Sequence, residues 1–162
     1  MVSPRRLARR YAVLALYQWQ VTGQGPSEIA RHFADDPEWL TEVARSLRDD
    51  ADAEVESGSV ARDRYDTALF ERLIGGVPRE QPTLDEELAK ALDRPLSQVD
   101  PVERAILRLG AFELLFCPDV PYQVAINEAI DLAKLFGAEQ GHRYVNGVLD
   151  RLARAARAPG TG

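Results

Sequence analysis

The spacing of the apolar residues constrains this chain most. They recur at three- and four-residue intervals almost from end to end, as in Val102, Ile106, Leu109, Phe112 and Phe116. That period belongs to one face of an α-helix, not to the alternation of a half-buried strand. No alternating run rich in β-branched residues interrupts it. The expected fold class is all-α.

Proline, glycine and capping residues mark where the helices begin and end. A first helix is predicted over about 4–21, stopped by Gly23, Gly25 and Pro26. A short helix follows with Ser27 as N-cap, and Asp36 then caps another with Pro37 at its first position. Helix resumes near Tyr65 and is expected to stop at Gly75-Gly76 before Pro78; a further one spans Thr83 to Leu92. Asp100-Pro101-Val102-Glu103 is a strong helix start, with an N-cap acid, a proline next and a glutamate three on. Cys117-Pro118-Asp119-Val120-Pro121 forces a loop. Helices over Tyr122–Phe136, ended by Gly137 as C′, and over Glu139–Arg157 complete the chain. Asn146-Gly147 resembles a hairpin turn, but its neighbours keep helical spacing. A helix with Gly147 facing a closely packed neighbour is therefore expected.

With 162 residues, 45% of them hydrophobic, the chain suits one domain, residues 1–162. Its N-terminal helical half covers about 4–48 and its C-terminal half about 64–157. Between them, 49–63 is acidic and poor in large apolar residues, so a mobile loop is expected there. One cysteine, Cys117, excludes an internal disulfide framework and suits a reducing compartment. No stretch has the ~18–20 apolar residues of a membrane span. Arg5, Arg6, Arg9 and Arg10 interrupt any signal-peptide pattern, so a cytoplasmic protein is expected, with no membrane partner.

Nothing in the chain points to an enzyme or a cofactor. His32 and His142 sit in no metal-ligand spacing, Cys117 in no nucleophile signature, and the glycines in no phosphate-binding loop. Net charge is −6, from 20 basic and 26 acidic residues, which taken alone argues against nucleic acid. The charge map says otherwise. Residues 28–56 hold ten acids and three arginines, whereas residues 1–20 hold no acid. From Gly141 onward four arginines face only Asp150. At ~100° per residue, Arg6, Arg10 and Tyr17 fall within roughly 40° of one another, flanked by Arg5 and Arg9. Leu7, Tyr11, Leu14 and Gln18 point the other way. Arginine beside an aromatic residue suits single-stranded RNA, because guanidinium neutralises phosphate and the ring accepts an unstacked base. A solvated amphipathic helix is the plainer alternative. In Tyr122–Phe136 the residues Asn127, Asp131 and Lys134 form a polar strip, and His142, Arg143 and Tyr144 open the last helix.

Several of these segments resemble the NusB family. Arg5-Arg6-Leu7-Ala8-Arg9-Arg10 and Ala15-Leu16-Tyr17-Gln18-Trp19-Gln20 are similar to its N-terminal helix, and Val102 to Arg108 to its central helix. Asp119-Val120-Pro121-Tyr122-Gln123-Val124-Ala125-Ile126-Asn127-Glu128-Ala129-Ile130 is the most specific match. Lys134 to Glu139 and Tyr144 to Asp150 complete it. The matching covers 5–20 and 96–152, while 22–64 agree only in helical character.

The resemblance implies a compact all-helical bundle of two subdomains and a non-enzymatic factor in bacterial transcription. It implies binding of the boxA element of RNA together with the ribosomal protein NusE, in the transcription elongation complex of ribosomal RNA operons. Some members are homodimers that bury the RNA face; others are monomers. Carried over, the RNA-facing residues are Arg5, Arg6, Arg9, Tyr17, Phe136, Arg143 and Tyr144; the charge pattern adds Arg10 and Lys134. The NusE face would include Tyr17, Glu103 and Arg108. Gln123 stands where lysine is expected and Gln140 where aspartate is frequent. Two other readings stay open: a homodimeric helical interaction module, and the NusB-like domain of an rRNA cytosine methyltransferase. Against the latter, Gly160-Thr161-Gly162 reads as a tail.

Overall fold

The computed structural model describes residues 2–35, 65–137 and 140–157. Among these are seven α-helices, one turn of 3-10 helix and no strand, as the apolar spacing predicts. The helices are α1 (Pro4–Thr22), α2 (Pro26–Asp35), α3 (Thr67–Arg79), α4 (Gln81–Ala91), α5 (Pro101–Phe116), α6 (Tyr122–Phe136) and α7 (Gly141–Arg157). The helix expected after Asp36 and the acidic segment 49–63 lie outside the described residues. The chain divides into two compact units, Met1–Gly75 and Gly76–Gly162.

In the first unit Ser3 caps α1, its Oγ accepting from the Arg6 N–H at 3.1 Å. Gly23, at φ +77°, closes the helix with its N–H on the Trp19 carbonyl. Only a residue without Cβ takes that left-handed turn readily. Leu7, Ala8, Tyr11, Ala12, Ala15 and Leu16 make the buried face of α1. Tyr11 meets Tyr65 edge-on at 5.2 Å, and Tyr65 meets Phe70 at 5.6 Å. The second helix begins at Pro26 rather than after Ser27. The Gly25 carbonyl accepts from both Glu28 and Ile29, and the fixed φ of proline suits a first helical position.

The second unit is built around α5. Its start is as expected, with Asp100 Oδ1 accepting from the N–H of Val102 at 2.9 Å and of Glu103 at 3.3 Å. The expectation of one apolar stripe falls short, however. Every residue from Ala105 to Leu114 is buried, including Arg108, Gly110 and Glu113, because α4, α6 and α7 all pack on α5. Each fully buried aliphatic side chain there contributes about 1.5–3 kcal/mol relative to exposure.

Glycine explains the other differences. The third helix does not stop at Gly75-Gly76 but continues through Pro78 to Arg79. Gly76 is there to let a ring close in: a Cβ on it would lie 2.2 Å from Phe112 Cζ. Gly110 likewise admits Leu149 Cδ1, at 2.6 Å from where its Cβ would be. Gly147, for which a close neighbour was expected, meets only Arg151 of its own helix, at 3.5 Å. Gly137 ends α6 in extended backbone, φ −85° and ψ 176°, rather than in a left-handed cap. The fourth helix begins at Gln81, two residues earlier than predicted, and α7 begins at Gly141, two later.

Candidate nucleic-acid interface

The first unit offers the basic face of α1. Arg5 and Arg6 are exposed, Arg10 is half-buried, and Tyr17 is 38% exposed. Arg9 does not share that surface. It is only 3% exposed, so its guanidinium is not a surface group. A helical wheel gives direction but not depth, and Arg9 borders the buried face. Arg5 lies 3.5 Å from Asp66, whose carboxylate also accepts from the Leu69 N–H at the start of α3. The first turn of α1 carries two arginines and no acid. A helix N-terminus is its positive end, where cations are disfavoured. Helix formation gains nothing from arginine at these places.

The second unit offers the end of α6 and the start of α7. Lys134 and Arg143 are exposed, while Phe136 and Tyr144 are half-buried. Residues 137–140 separate the two helices in sequence. Gln123 and Gln140 are exposed as well. Arg143, like Arg5 and Arg6, sits in a first turn without acid of its own.

Tyr144 is held rather than loose. Its hydroxyl donates to Asp93 Oδ1 at 3.2 Å, and the Arg94 guanidinium lies over its ring at 4.8 Å from the centroid. Asp93 in turn accepts from Arg94 Nε at 2.8 Å and Nη2 at 3.3 Å. Those hydrogen bonds hold the Asp93 carboxyl below its ordinary pKa. Burial, then the charge of Asp93, keeps the Tyr144 phenol protonated to higher pH than usual. Asp93 and Arg94 escaped the sequence reading because their partner is some fifty residues away. The Asp-Arg dipeptide in the loop after α4 gives no periodic signal.

Glu103 and Arg108, expected on a protein-binding face with Tyr17, are placed very differently. A Cβ on Gly141 would sit 2.6 Å from Glu103 Oε1, so this carboxylate occupies the N-terminal end of α7. Burial raises the pKa of Glu103, and Asp100 adds to the rise. Arg108 is not a surface group. Its side chain is 9% exposed, and it grips Asp85 with Nε and Nη2, each at 2.9 Å. Arg108 ties α5 to α4 beneath the surface. Other basic side chains of this unit are also engaged. Arg151 donates twice to the Ala91 carbonyl, at 3.0 and 2.8 Å, at the end of α4. Arg154 pairs with Asp150 at 3.1 Å. Arg104 Nη2 donates to the carbonyls of Ser97 and Val99.

Among the described residues no helix is long and apolar enough to cross a membrane. A sequence profile of the NusB family matches residues 6–154. The transcription antitermination protein NusB of Nitrosococcus oceani is 47% identical over 158 residues, 98% of this chain and 90% of its own. That of Shewanella piezotolerans is 47% identical over 150 residues, 93% of this chain and 94% of its own. Among solved structures, one of the antitermination factors NusB and NusE in complex with dsRNA superimposes with TM-score 0.67. It is 26% identical and covers 93% of this chain and 96% of that one. T. maritima NusB gives 0.60 at 30% identity, covering 94% and 93%. The chain therefore belongs to the NusB family of transcription antitermination factors.

Proposed function

We propose that this antitermination factor binds boxA-type single-stranded RNA together with the ribosomal protein NusE, within the cytoplasmic elongation complex. The observation that carries the reading is the first turn of α1. Two exposed arginines stand there against the helix dipole, on a turn that carries no acid. Arg10 and Tyr17 continue this face. In the second unit Lys134, Phe136, Arg143 and Tyr144 supply the same mixture of cation and ring. Phosphate contacts give affinity and register, and rings that accept unstacked bases favour a single strand over a duplex. A relative of similar fold has been solved with NusE and dsRNA, which supports partnership with NusE and contact with RNA here. Tyr17 and Glu103 are the NusE contacts this reading retains. Arg9 and Arg108 act from within, by supporting the helices that carry the surface.

The test is Arg6→Ala, measured by fluorescence anisotropy with a labelled boxA RNA and NusE present. Affinity is expected to fall about 3–10-fold, and the slope of log K against log salt to flatten by roughly 0.7, the value for one phosphate on a single strand. Stability is expected to stay within about 0.5 kcal/mol. Unchanged affinity and slope would remove α1 from the interface.

A further inference from the structure

Arg94 stands out among the arginines of the second unit. Arg108 is enclosed, and Arg104 and Arg151 donate to backbone carbonyls. Arg94 is half exposed, at 48%, between an exposed Asp93 and a half-buried Tyr144. One face of its guanidinium covers the Tyr144 ring. Asp93 takes Nε and one hydrogen of Nη2. A guanidinium has five N–H donors, so the Nη1 edge stays available to a further acceptor. The opposite face of the plane is turned away from the ring. Beside it lies a recess of ≈ 240 Å³ bordered by Arg94, Asp100, Glu103, Gln140, Gly141 and Tyr144, among other residues.

This arrangement has a chemical meaning. An exposed ion pair such as Asp93–Arg94 adds little to stability. A guanidinium already stacked and already gripped along one edge loses little further freedom when it binds. Single-stranded RNA is recognised by such planes: a base stacks on arginine as it does on an aromatic ring, and a phosphate takes the remaining donors. We propose that Arg94 is a further RNA-contacting residue. It lengthens the Tyr144 platform by one plane, stacking an unpaired base on its outer face and donating to a phosphate through Nη1. Asp93 is the positioning residue that sets the guanidinium over the ring. The inference rests on the RNA-binding reading above and adds a residue outside the matched motifs on which the family resemblance draws.

The experiment uses the full chain with NusE and a labelled single-stranded boxA RNA, across a series of salt concentrations. Arg94→Ala is expected to weaken binding about 5–20-fold and to flatten the salt slope by roughly 0.7, with the thermal melt unchanged. Arg94→Lys keeps the charge but not the plane, so it should retain the slope and recover only part of the affinity. If wild type binds and Arg6→Ala weakens it while Arg94→Ala changes neither affinity nor slope, this inference fails and the RNA-binding reading stands. A loss that tracks lost helicity, with the slope unchanged, also overturns it, since that is a structural role. If the wild-type chain with NusE does not bind the RNA, the reading fails and the inference with it.

Discussion

Helices α1 and α7 both carry arginines at helical spacing, and they carry them at opposite ends. In α1 the exposed pair, Arg5 and Arg6, sits in the first turn, at the positive end of the helix. In α7, Arg151, Arg154 and Arg157 sit in the C-terminal half, where the helix dipole welcomes a cation. Their duties differ in the same sense. Arg151 satisfies the last carbonyl of α4 and Arg154 pairs along its own helix. Arg143 belongs with the α1 pair, because it occupies the first turn of α7. A cation placed where folding disfavours it is the better candidate for a partner. One placed where folding favours it is the better candidate for a structural tie.

Three substitutions bear on this contrast, and the largest effect belongs to the most enclosed arginine. Arg108→Ala leaves Asp85 half-buried without its grip and is expected to destabilise the chain by about 3 kcal/mol, read from urea unfolding. A loss near 0.5 kcal/mol would return Arg108 to the surface-contact class. Next comes Arg151→Ala, which uncovers the end of α4. It should lower stability by about 1–2 kcal/mol while leaving RNA affinity within about twofold, the reverse of the pattern expected for Arg6→Ala. If Arg151→Ala weakens RNA binding and leaves stability alone, the division by helix end is wrong.

The smallest effect is expected at Glu103. Its folded pKa is raised, chiefly by burial, so the ionised form is disfavoured in the folded chain. Ionised Glu103 therefore costs stability above its folded pKa. That cost disappears as pH falls below the ordinary glutamate range, where both states are protonated. Glu103→Gln should raise Tm by less than about 2 °C at pH 7 and leave it unchanged at pH 3.5. A drop in Tm at pH 7 would mean that the charge at the N-terminus of α7 outweighs its burial.

How legible these features were in the sequence depended on how local their causes are. The start of α5 at Asp100-Pro101 and the turn at Gly23 were legible, since caps act within three or four residues. Gly75-Gly76-Pro78 was misread as a stop because the reason for Gly76 is the ring of Phe112, distant in sequence. The basic face of α1 was legible in direction, but the burial of Arg9 needed the surrounding packing. Arg108, Arg94 and Arg151 read as generic cations until Asp85, Tyr144 and Ala91 were placed beside them. Periodicity reports which side of a helix faces inward. It does not report what waits there.

Cys117 follows the last turn of α5 with no exposed surface, its N–H on the Glu113 carbonyl and its carbonyl accepting from Val120. It is the only thiol in the chain. A thiol reagent can therefore react only when the corner between α5 and α6 opens. Under conditions where closing outruns labelling, the rate of modification measures how often that happens. The protein thus carries a native chemical clock for its most enclosed helix, and it needs no engineered label to be read.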